Sequence, residues 1–81
     1  MPVVLRYKGY VLFFYSSEGR PREPMHIHVR GNGGEAKVWL EPEVMVASSA
    51  AIPQKKLREL VRLVREQREL FVEAWKEHFD E

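Results

Sequence analysis

The chain has no cysteine and no threonine, one asparagine and two glutamines. Without cysteine it forms no disulfide and offers no thiolate to zinc. Scarce amides, with 31% charged residues, lean toward a heat-adapted source. No apolar run reaches the roughly 18 residues of a transmembrane helix. The longest stretch, Val11-Leu12-Phe13-Phe14-Tyr15, is strand-sized. Met1-Pro2-Val3-Val4-Leu5-Arg6 places no basic region ahead of an apolar one, so no signal peptide is expected. A cytoplasmic location is the default. An excess of one charge is also missing: 13 basic and 12 acidic residues leave a net charge of +1. That total points to no particular class of partner, whether nucleic acid, membrane or acidic substrate.

Hydrophobic residues make up 44% of the 81. That is too apolar for intrinsic disorder, and the length is that of one domain, 1–81. A domain this small buries only about 60% of its unfolded surface, so its stability margin is thin. A dimer or a partner protein would supply what a disulfide does not.

The first half reads as strands. Residues 3–7 and 10–16 are rich in β-branched and aromatic side chains, and Lys8-Gly9 between them suits a tight hairpin turn. The second of these strands is apolar on both faces, which suggests cover from both sides. Residues 16–24 carry Gly19, Pro21 and Pro24 and form a loop. Residues 26–30 and 35–40 flank Gly31-Asn32-Gly33-Gly34, a second hairpin. Residues 44–47 are a candidate edge strand, and residues 48–51 a loop of small side chains.

After Pro53 no glycine or proline occurs. Pro53 suits the first helical position. Leu57, Leu60, Val61, Val64, Phe71, Ala74, Trp75 and His78 recur at helical spacing. One helix over 53–79 is the simplest reading, with Gln67-Arg68 interrupting the apolar stripe and marking a possible kink or break. No Ser, Thr, Asp or Asn precedes Pro53 directly, so the cap is weak. The expected fold is α+β: an antiparallel sheet of four to five strands (two hairpins) within 1–47, with one long C-terminal helix packed on one face. The expected core holds Leu12 or Phe14, Ile27, Val29, Val38, Leu40, Leu57, Val61, Val64 and Trp75.

Side chains two apart on a strand share a face. His26, His28 and Arg30 therefore point one way and Ile27 and Val29 the other. Glu35, Lys37 and Trp39 share a face of the partner strand. Together the six polar and aromatic residues make the chemically richest patch of the chain. Three functional readings compete. In the first, His26 and His28 act as acid and base on an RNA 2′-hydroxyl, Arg30 and Lys37 stabilise the phosphorane, and Trp39 stacks a base. This would be a metal-independent ribonuclease toxin. In the second, the two histidines bind a metal, but zinc wants three or four ligands and His78 or Glu35 would have to add one. No metal and no cofactor is assigned. In the third, the face docks a partner, with Trp39 and Arg30 as anchors and Glu35 beside them. The plain alternative is packing: one histidine lies under the 16–24 loop with its nitrogens bonded to backbone.

The helix region has a reversed charge order. Residues 55–68 hold six basic side chains against two acidic ones, and residues 69–81 hold five acidic against one basic. Basic-first opposes the helix macrodipole. The pairs Lys55–Glu59, Arg62–Glu66 and Arg65–Glu69 also run in the less favourable order. Such a pattern fits a second copy lying antiparallel, a homodimer through the long helix. The alternatives are a solvated face, and a nucleic-acid-binding regulator in which Lys55, Arg58, Arg62 and Arg65 track phosphates.

The stretch Glu23-Pro24-Met25-His26-Ile27-His28-Val29, then Glu35-Ala36-Lys37-Val38-Trp39-Leu40, then Ala74-Trp75-Lys76-Glu77-His78-Phe79 resembles domain of unknown function family 4160. That family carries Pro-Pro-His-x-His-Val, then Lys-x-Trp-Leu, then a C-terminal helix ending in Trp and Phe. Here Met25 stands in place of the second proline. The resemblance spans Pro2 to Phe79, and the family pattern falls on Pro24, His26, His28, Lys37, Trp39 and Trp75. It implies a bacterial protein, often encoded beside a second small protein, in pairs that look like toxin–antitoxin or regulatory modules. The expected partner is then the product of an adjacent gene. RNA is a further candidate and a membrane is not.

Overall fold

The computed structural model describes residues 2–15 and 23–79. Five strands and two helices follow in chain order: β1 (Val3–Tyr7), β2 (Tyr10–Phe13), β3 (His26–Gly31), β4 (Gly34–Trp39), β5 (Met45–Ala50), α1 (Gln54–Glu66) and α2 (Arg68–Phe79). The strands form one antiparallel meander, β1-β2-β3-β4-β5, each beside its chain neighbour. Most of the loop expected over 16–24 lies outside the described residues.

Both tight hairpins follow from their turn residues. Lys8 and Gly9 have φ of 47° and 84°, and Asn32 and Gly33 have φ of 49° and 81°. Two successive positive φ values match the right-handed twist of the flanking strands. The pairs they close are Tyr7 with Tyr10 and Gly31 with Gly34.

The core lies between one face of the sheet and the helices. Leu12, Phe14, Ile27, Val29, Val38 and Leu40 meet Leu57, Leu60 and Val64 of α1 and Phe71, Val72 and Trp75 of α2. Leu12 and Phe14 are both buried, and Val61 is only partly so. Phe13 is buried on the opposite face, so β2 has cover on both sides as its composition suggests.

The single long helix is corrected to two. Gln67 leaves helical geometry at φ −109° and ψ 22°, while its N–H still reaches the Leu63 carbonyl at 3.0 Å. No proline or glycine causes this break. Arg68 occupies the position where the stripe of Leu57, Leu60 and Val64 would continue. Its Nε donates to the Leu40 carbonyl at 2.8 Å, so a cation stands in the stripe by bonding the backbone that leaves β4. Pro53 is the N-cap of α1 rather than its first helical residue, and no side chain caps that end. The edge strand runs over Met45–Ala50 instead of 44–47, taking in Ser48, Ser49 and Ala50 that were expected to be loop. No helix among the described residues is long and apolar enough to cross a membrane.

Among the described residues Lys55–Glu59, Arg62–Glu66 and Arg65–Glu69, which run in the less favourable order, form no ion pair. Glu59 turns to the sheet instead, accepting from Lys8 Nζ at 2.8 Å and from the Tyr7 hydroxyl. These donors, Lys8 first, hold its pKa down to about 2 from 4.5. A carboxylate with a lowered folded pKa adds stability that is whole above its unfolded value and is lost as pH falls through the folded one. Acidification from pH 4.5 to about 2 should therefore destabilise the wild type more than Glu59→Gln. Thermal melts of both proteins across that interval check this; parallel pH profiles would contradict it.

Candidate functional site

The meander's register builds the site. Counting outward from the Asn32-Gly33 turn, Arg30 opposes Glu35 and His28 opposes Lys37. Pairing continues on both sides, so Phe13, His28, Lys37 and Ser48 form one row across four strands. Val11, Arg30, Glu35 and Ala50 form the next row. Both rows lie on the face away from the helices. All of these residues but Val11 line an open cleft of about 410 Å³, with Tyr15 at one side.

Aromatic packing holds the polar groups in place. The His28 ring stacks on Phe13 at 5.7 Å and meets Tyr15 edge-on at 4.6 Å. Arg30 lies over Phe13 at 5.9 Å and donates to the Tyr15 hydroxyl at 3.1 Å. Lys37 sits 4.5 Å above Trp39 and reaches Glu23 at 3.1 Å. Arg30 stands 3.9 Å from Glu35. These pairs are solvent-facing, so they orient more than they stabilise.

His26 is different. Its side chain is 0% exposed, although its strand parity assigns it to the same face as His28. Three rings surround it: His28 at 5.2 Å, Trp39 at 5.5 Å and Trp75 at 5.1 Å. Trp75 also meets Phe14 edge-on at 5.4 Å. Phe14 lies on the core side, so α2 reaches around the end of the sheet and closes over His26. The His26 Nδ1 contacts the Pro24 carbonyl at 2.9 Å. A carbonyl only accepts, so Nδ1 carries the proton. The segment before β3 is fixed by Met25, whose N–H donates to the Glu41 carboxylate at 2.7 Å.

The structure thus brings His28, Arg30, Glu35 and Lys37 into one cleft. Trp39 lies beside it and His26 is sealed beneath. Phe13, Tyr15 and Ser48, which the sequence reading did not assign to the site, complete the walls. His78 is elsewhere, against Phe14 and Phe79. Among the described residues no group of three His, Asp or Glu is placed to hold a metal ion. Arg58, Arg62 and Arg65 line a separate groove between α1 and the start of β5, and Lys55 is exposed outside it.

The model of the family described as domain of unknown function, DUF4160, matches residues 9–76. The chain belongs to this family. No curated protein and no solved structure gives a significant match. In this DUF4160 chain the matched span contains every wall of the cleft, together with His26, Trp39 and Trp75. It leaves out β1, His78 and Phe79.

Proposed function

We propose that this DUF4160 protein is a small binding module that acts through a protein partner docked on the outer face of the sheet. The partner is the product of an adjacent gene, as in toxin–antitoxin-like or regulatory two-gene modules. The observation that carries the reading is the contrast between the two histidines. His28 lines an open cleft with Arg30, Glu35, Lys37 and Tyr15, while His26 is 0% exposed. A two-histidine ribonuclease needs both rings to exchange protons with one substrate, and a sealed ring does not reach one. A binding face needs oriented aromatic and charged groups, and Arg and Trp are the residues that most often dominate interface energies. The nucleic-acid-regulator reading rests on Lys55, Arg58, Arg62 and Arg65, which share nothing with this cleft.

Co-expression with the adjacent gene product tests the proposal. The two chains should co-purify, and Arg30→Glu with Lys37→Glu should abolish co-purification in a protein that still folds. A wild-type chain that retains none of that product refutes it. Induction of the chain alone should leave total RNA intact; RNA loss abolished by His28→Ala would favour the ribonuclease.

A further inference from the structure

Two exposed helical stripes carry opposite charges at helical intervals of three or four residues. On α1, Arg58, Arg62 and Arg65 fall within one narrow arc and rim a groove of about 460 Å³. Its floor is apolar, with Val46 and Val61 beside Met45, which is 51% exposed. On α2, Glu69, Glu73 and Glu77 fall on one exposed arc with Leu70, which is 45% exposed. None of the three arginines and none of the three glutamates forms an ion pair among the described residues. The arginines rim an apolar groove and the glutamates lie beside Leu70, and neither stripe meets its complement among the described residues.

We propose that the groove receives α2 of a second copy, in a two-fold dimer. With the helices antiparallel, Arg58 faces Glu77, Arg62 faces Glu73 and Arg65 faces Glu69, because both stripes step at helical intervals. Leu70 of one copy then enters the groove beside Met45 and Val61 of the other. A two-fold interface uses the same surfaces on both subunits, so both grooves and both acidic stripes are satisfied at once. A nucleic acid would meet the arginines but leave Leu70 and the glutamates exposed. The groove shares no lining residue with the cleft on the outer face, so this dimer stands apart from the partner binding proposed above.

Sedimentation equilibrium on three chains tests it: the wild type, Arg62→Glu with Arg65→Glu, and Glu69→Arg with Glu73→Arg. The wild type should dimerise at micromolar concentration and more weakly as salt rises. Each variant alone should show a dissociation constant raised by about tenfold or more, since two of the three charge pairs become repulsions. An equimolar mixture of the two variants should restore the dimer, because every facing pair is then of opposite sign. That recovery also shows that both variants are folded. A wild type that stays monomeric overturns the proposal, and so do variants that dimerise as well as the wild type. Arginine-dependent RNA binding by a monomeric wild type would assign the groove to nucleic acid instead.

Discussion

Trp75→Ala is expected to be the most damaging single truncation of a side chain. Trp75 is 1% exposed and is the point where three parts of the molecule meet. Its ring contacts Phe14 of the chain leaving β2 at 5.4 Å, His26 of β3 at 5.1 Å and Phe79 of α2 at 4.3 Å. Truncating a buried Trp costs about 3–5 kcal/mol, through lost burial and the cavity left behind. A chain of this size has a total stability of only about 4–12 kcal/mol. The expected fall in Tm is about 15–30 °C. Trp75→Phe should lose much less, because it keeps a ring against Phe14 and His26. Far-ultraviolet circular dichroism melts of the two variants check this. A Trp75→Ala protein within about 5 °C of the wild type would mean that α2 does not close the end of the sheet.

The second large effect is expected at Gly31, a residue with no side chain to lose. A Cβ there would collide with the Gly9 carbonyl oxygen and lie 2.7 Å from the Tyr10 Cα. Both are backbone atoms of the neighbouring hairpin, so no rotamer change relieves the clash. Overpacking costs about 1–3 kcal/mol where side chains can adjust, and more where they cannot. Gly31→Ala should therefore lose at least about 3 kcal/mol in urea unfolding. Gly33→Ala is the control. Its Cβ would meet nothing within 4 Å, and only its φ of +81° opposes the change. That strain is about 1–2 kcal/mol. If Gly33→Ala were the worse of the two, the two hairpins would not approach each other as closely as the register requires.

Much of the sheet was legible because turn chemistry fixes register. Lys8-Gly9 and Asn32-Gly33 each close a two-residue hairpin, and alternation then places Arg30 opposite Glu35 and His28 opposite Lys37. The row from Phe13 through Ser48 was not legible. Joining β2 to β3 depends on a connection too long to fix a register, and Ser48, Ser49 and Ala50 have little strand propensity of their own. They are strand because β4 pairs with them. The burial of His26 was hidden for another reason. Strand parity alone puts it with His28, and only the path of α2, set by the break at Gln67 and the bond from Arg68 to Leu40, brings Trp75 over it. Glu59 shows the same limit. Local spacing pairs it with Lys55, but the β1–β2 turn offers Tyr7 and Lys8 together.

These observations divide the His-x-His strand into two roles. His26 holds the end of the sheet to α2, and His28 presents an imidazole to an open face. The open face is the one proposed to bind a protein partner. Calorimetric titration of the adjacent gene product into the purified chain tests it most directly, with Trp39→Ala and Arg30→Glu as face variants and Arg62→Glu as a groove control. Saturable binding is expected, weakened by about 2 kcal/mol or more in each face variant and unchanged in the control. No heat of binding from a folded wild-type chain, or equal affinity in all four proteins, would contradict it.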